Sequence, residues 1–256
     1  MSVDGYELGA LFSVESEKDD PPGSVQGKNL TQIFDIETGP VDDDELARLL
    51  PKFDRESVQD GRCKEETLER KRDEAEARYE ERFREMAALS PITGRVLAIG
   101  YKCRDVVTFE EGQVIGAEVA ILRGFWSVFS DVREFGCSLI GFNISNFDVP
   151  FLVRRSWLLN VEVPRGVFVR GRLCDTFVDL YDLWKCGSRF SEPSHVNSKL
   201  DTIARFFGLP GKPDGITGAD FHRLYADPTT RDQAREYLRN DLTITYEVAK
   251  RMGVVK

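Results

Sequence analysis

The sequence predicts a mixed α/β fold, in which helices flank one sheet and an acidic helical insert follows the first strand. An apolar, β-prone run stands early, at 30–36 (LTQIFDI). A hairpin pattern comes next, at 95–110. Beyond it, short apolar runs alternate with stretches of helical spacing, which is how strands and helices mix in one sheet.

Taken in order, residues 1–28 mix acidic, Gly and Pro residues and read as a flexible N-terminal arm, leaving 29–256 as one domain with the insert at 41–92. The run 30–36 reads as a buried strand closed by a turn at Thr38-Gly39-Pro40. Within the insert, 42–50 is a short helix and 64–89 a longer one, whose Leu68, Ala75, Tyr79, Phe83 and Met86 fall on one stripe expected to bury one face. Residues 95–102 and 106–110 form the hairpin, 118–135 an amphipathic helix and 139–143 a short strand. Residues 148–159 have helical spacing, and 173–183 alternate or bend into a helix. A polar loop at 187–198 precedes a short helix at 200–207, stopped by Gly208 and Pro210. The chain then runs into a long helix at 229–252, opened by Asp227-Pro228 and closed at Gly253.

Composition narrows the chemistry. With 256 residues and 41% hydrophobic content the chain buries one substantial core. No apolar run approaches the roughly 18 residues a membrane span needs, and the N-terminus lacks a secretory pattern, so a cytoplasmic protein without a membrane partner is expected. Five cysteines with no CxxC pair argue against a zinc ribbon and a disulfide framework. Only two histidines, His195 and His222, exclude three-histidine zinc chemistry, so carboxylates must carry any metal. The net charge of −9 is unevenly placed: residues 1–92 carry net −11 and residues 93–256 net +2. The second segment holds Arg154, Arg155, Arg165, Arg170, Arg172, Lys185 and Arg189, a set that tracks phosphates if it folds onto one face.

Three short stretches hold the candidate chemistry. Asp35 and Glu37 stand two apart on the first strand, so both leave one sheet face, where close carboxylates repel unless a cation neutralises them. In GFNISNFD (141–148) a strand runs into a polar turn and Asp148 lands at a helix start, where a cap is the plainer account of an acid. In YLRND (237–241), Tyr237 and Asp241 are one helical turn apart and share a face.

Together, FDIET, GFNISNFD and YLRND, in that order, resemble the DEDDy 3′–5′ exonuclease family, and in particular the proofreading exonuclease domain of family-B DNA polymerases and its stand-alone bacterial and phage relatives. The neighbouring LCDTFVDLYDLW and SKLDTIARFFGLPGK are similar to that family too. The resemblance implies a ribonuclease H-like fold and a two-metal hydrolysis of nucleic acid from its 3′ end. It assigns Asp35, Glu37, Asp148 and Asp241 as metal ligands, Tyr237 as the group that orients the attacking water, and Thr38 and Asn143 as substrate contacts. Glu236 stands where the related histidine subfamily places its histidine, which leaves the tyrosine variant. An all-oxygen ligand set suits two divalent cations, Mg2+ or Mn2+, rather than zinc. Single-stranded DNA or frayed 3′ ends are the expected substrate, releasing nucleoside 5′-monophosphates in proofreading or DNA repair. An exoribonuclease similar to ribonuclease D and a non-catalytic nucleic-acid-binding module are the alternatives. The acidic insert is the chain's own feature, packed on the body or serving as a gate or as a docking surface for a replication or repair protein.

Overall fold

A computed structural model describes residues 31–60, 64–112, 115–187, 198–212 and 217–255. The N-terminal arm and most of the 187–198 loop, with Arg189 and His195, therefore lie outside the described residues.

Five strands form one mixed sheet in the order β3-β2-β1-β4-β7: β3 (Val106–Glu111), β2 (Gly94–Cys103), β1 (Gln32–Pro40), β4 (Leu139–Gly141) and β7 (Phe177–Asp179). The first three pair antiparallel, while β4 lies parallel to β1 and β7 parallel to β4. This is the ribonuclease H-like arrangement, with helices on both faces. Strand alternation divides the core. Phe34 and Ile36 of β1 pack with Ile121, Leu122, Phe125 and Phe129 of α3 (Ile115–Glu134) and with Val149 and Leu152 of α4 (Asp148–Leu158). Ile33 of the same strand points the other way, into a second cluster with Ile203 of α6 (Leu200–Phe206), Phe221 of α7 (Gly218–Ala226), and Leu238 and Leu242 of α8 (Arg231–Arg251).

Two local departures matter for the site. Thr38-Gly39-Pro40 does not turn: β1 continues through it, pairing Thr38 with Val96 and Pro40 with Gly94 after a register shift between Glu37 and Thr38. The expected turn is paired strand instead, with the extra residue of the shift, Leu97, on β2, and a Cβ on Gly39 would come within 2.6 Å of Leu97 and 2.9 Å of His222, so glycine serves close packing there. Helix α7, which sequence periodicity did not mark, starts at a capping box between Thr217 and Asp220. A two-stranded ribbon, β5 (Phe168–Val169) with β6 (Arg172–Leu173), also went unmarked, while α5 (Leu180–Trp184) follows β7 directly.

The insert forms α1 (Asp43–Leu49), a 3-10 turn at Arg55–Ser57 and α2 (Glu65–Met86). The stripe on α2 does not bury a full face: no α2 residue is buried, and Met86 is exposed. Its apolar anchor is near its C-terminal end, and the preceding turn of the insert binds along the rest of it. Phe83 packs with Val41, Leu46 and Ala87, and Phe53 meets Tyr79 with ring centroids 5.3 Å apart. Arg55 binds Glu69 (3.1 Å), Asp73 (2.6 Å) and Glu76, which ties the turn to the helix through exposed ion pairs. The arginine set is also corrected in one member. Arg155 is buried and paired with Glu118, whereas Arg154, Arg165, Arg170 and Arg172 are exposed.

Candidate active site

The three sequence stretches meet on the α8 face of the sheet. Asp35 lies opposite Gly100 of β2, and a Cβ on Gly100 would approach Leu242 to 2.6 Å and Leu238 to 3.0 Å, so α8 rests almost on the strand backbone there. That close approach carries Asp241, one turn past Tyr237, down to the acids of β1. Asp35, Glu37 and Asp241 each offer a carboxylate oxygen, and these oxygens lie within 4.8 Å of one another. Glu37 and Asp241 are buried and Asp35 is half-buried. It is the one such group among the described residues.

The fourth acid stands beside this trio rather than in it. Asp148 opens α4, where Pro150 is tolerated because first-turn amides have no helical partner. Its Oδ1 accepts the backbone N–H of Ile36 at 3.3 Å, so the carboxylate rests on β1 between the two strand acids. Asp148 is thus a first-turn acid of α4, as its place in the sequence predicts, that makes a tertiary contact to β1 as well.

Crowding shows in the proton affinities. Burial, then Asp148 and Asp241, pushes the Asp35 carboxyl well above the usual carboxylate range. Burial, then Asp35 and Asp241, does the same to Glu37. Burial raises Asp148 to about 7. Asp241 is raised by burial, although Lys212 and then Tyr237 pull it down. Tyr237 is pushed above the ordinary phenol value by burial and by Asp241 and Glu37, which disfavours its acting as a base.

Lys212 is the group sequence reasoning missed. Its Nζ donates to Asp241 Oδ2 at 2.5 Å and to the Tyr237 hydroxyl at 3.2 Å. Burial pulls its ammonium down, but Asp241 and Tyr237 outweigh burial and hold it above the usual lysine value. Its backbone N–H donates to Asp201 Oδ1 at 2.7 Å, which fixes the Gly211-Lys212 loop. The signal for it was indirect: several converging carboxylates require a counter-charge, and the GLPGK turn supplies one.

Among the substrate candidates, Thr38 is buried and its hydroxyl donates to the Ala88 carbonyl at 2.8 Å, tying β1 to the end of the insert. Asn143 takes a left-handed backbone (φ 64°), and its Oδ1 accepts from Asn146 Nδ2 at 2.8 Å. Beside Asn143, the Phe142 ring lies 5.6 Å from that of Tyr181, and the Phe147 ring 5.5 Å from that of Phe151.

The residues fit a divalent cation. The donors are all hard oxygens, and Asp241 Oδ1 is buried with no hydrogen-bond partner, an acceptor that a cation would satisfy. A family model described as a predicted 3′-5′ exonuclease related to the exonuclease domain of PolB matches residues 81–256. The match contains Asp148, Lys212, Tyr237 and Asp241 and begins after β1. No curated protein matches the chain.

Proposed function

The chain belongs to the family of predicted 3′–5′ exonucleases related to the exonuclease domain of PolB, and from that premise we propose that it hydrolyses single-stranded DNA or frayed DNA 3′ ends to nucleoside 5′-monophosphates. The observation that supports this reading is the convergence of carboxylate oxygens of Asp35, Glu37 and Asp241 within 4.8 Å, with the Asp148 carboxylate of α4 hydrogen-bonded to Ile36 N–H between the two strand acids. In this reading the four carboxylates hold two divalent cations, Mg2+ or Mn2+. Such ions activate water and neutralise the charge that develops on the leaving oxygen.

The remaining roles belong to the chain's own groups. Tyr237, too weak an acid to be deprotonated readily, orients the attacking water through its hydroxyl. Lys212 donates to that hydroxyl and to Asp241, so it fixes the phenol and supplies positive charge to a phosphate arriving beside the carboxylates. Asn143 contacts the substrate from its left-handed turn, and Thr38 contributes through its backbone, since its hydroxyl is committed to Ala88. Exposed Arg154, Arg165, Arg170 and Arg172 attract the phosphate backbone. A proofreading or repair setting, with a protein partner on the insert, belongs to the same proposal.

The test is a 5′-labelled DNA oligonucleotide and its RNA twin incubated with Mg2+ or with EDTA. DNA should shorten stepwise from its 3′ end, EDTA should stop it, and Asp35→Ala should slow it about a thousandfold, equivalent to roughly 4 kcal/mol of lost transition-state stabilisation. Faster loss of the RNA would replace DNA with RNA as the substrate. Undiminished hydrolysis by Asp35→Ala would refute the site.

A further inference from the structure

One buried carboxylate next to the site is occupied in a way that helix capping does not account for. Asp179 is the last residue of β7, paired in register with Gly141 at the end of β4, and is 6% exposed. Its Oδ1 accepts the backbone N–H of Tyr181 at 2.9 Å, which is the ordinary cap of α5. The same carboxylate reaches across to another stretch of chain. Its Oδ1 also accepts Asn143 N–H at 2.8 Å, and its Oδ2 accepts Ser145 N–H at 2.8 Å.

Those two amides belong to the turn that delivers Asp148. Asn143 has φ 64°, a left-handed conformation that a non-glycine residue holds only when its surroundings enforce it. From there the turn closes on itself. The amides of Asn146 and Phe147 both donate to the Asn143 carbonyl at 3.2 Å, and the Val149 amide donates to the Ile144 carbonyl at 3.0 Å. Asp148, between them, then meets Ile36 N–H on β1. A negative charge near Asp148 is unfavourable to that acid's ionised form, so electrostatics alone would select against Asp179. Geometry explains its presence.

We infer that Asp179 is a positioning residue: by gripping the Asn143 and Ser145 amides it holds the left-handed turn, and through it places the Asp148 carboxylate against the strand acids. It is not itself in the converging trio. The inference rests on the reading of Asp148 as a metal ligand, and it adds a residue that the DEDDy resemblance does not assign.

The test uses the full chain as wild type, Asp179→Asn, Asp179→Ala and Val132→Ala, the last a buried core substitution near the C-terminal end of α3 that lowers stability. Mn2+ binding is measured by calorimetry, kcat and KM on a 3′-terminal DNA substrate, and Tm by thermal melting. In Asp179→Ala, Mn2+ affinity and kcat should each fall about 10- to 100-fold, the cost typical of removing a group that orients a metal ligand. KM should stay within about threefold, because the loss is not one of uniform substrate binding. Asp179→Asn should fall between, since one oxygen can still accept from Asn143 and Tyr181 while its NH2 opposes Ser145 N–H. If the alanine variant does not fold, the asparagine variant decides. Val132→Ala should lower Tm but keep the wild-type Mn2+ affinity. Wild-type Mn2+ affinity and kcat in folded Asp179→Ala or Asp179→Asn would overturn the inference alone. Failure of the wild type to bind Mn2+ would overturn the reading of the site beneath it.

Discussion

Asp148 illustrates how burial changes the proton affinity of an ordinary acid. Burial at the base of α4 raises it to about 7, against an unfolded value near 3.8, and Asp35, Glu37 and Asp241 are raised in the same sense. The native state therefore binds more protons than the unfolded chain between these values. The stability contributed by protonation is complete below about pH 4 and is lost as pH rises through about 7. In EDTA, the Tm advantage of Asp148→Asn over wild type should grow between about pH 4 and about pH 7, and adding Mn2+ should favour the wild type instead. A constant difference across that window would contradict the assignment. Much of this scale was legible in the sequence, because two-residue spacing on a strand and four-residue spacing on a helix each dictate a shared face. Lys212 was not, since a lysine in a Gly-Pro loop has no periodicity and only the fold reveals what it neutralises.

Elements show where local patterns and tertiary packing disagree. Turn-forming Thr38-Gly39-Pro40 extends β1 because β2 offers it partners and Gly39 leaves room for Leu97 and His222. The β5-β6 ribbon escaped detection because two-residue strands leave no alternation to read. Arg155, grouped by sequence with surface arginines, is instead the hub that joins α4 to α3, β2 and the end of the insert. Its guanidinium holds Glu118 at 2.7 and 2.8 Å and the Pro91 carbonyl at 3.0 Å, while Glu118 also accepts Val96 N–H at 2.9 Å. Removing one partner strands a buried charge. Arg155→Ala should therefore destabilise the fold by roughly 3–5 kcal/mol in denaturant titration, whereas a loss under about 1 kcal/mol, the value of a surface pair, would show that the bridge is not desolvated.

For the whole molecule, the order of elements and the three acidic stretches were readable because the sheet fixes their faces, and no helix among the described residues is long and apolar enough to cross a membrane. The insert departs further from its pattern: the apolar stripe predicts burial, but charged neighbours leave α2 half-exposed, with Phe83 near its C-terminal end packed on Val41, Leu46 and Ala87. Replacing residues 52–80 by a short Gly-Ser linker removes Phe53 together with Tyr79, and Arg55 together with Glu69, Asp73 and Glu76. The shortened chain should fold and degrade short oligonucleotides at the wild-type rate. A folded but inactive product would assign the insert a role over the site. The most direct measurement is anomalous diffraction from crystals grown with Mn2+. Manganese peaks should lie among the carboxylates of Asp35, Glu37 and Asp241 and extend to Asp148. Peaks absent from this cluster at saturating Mn2+, with Lys212 still bound to Asp241, would contradict a metal-dependent exonuclease centre here.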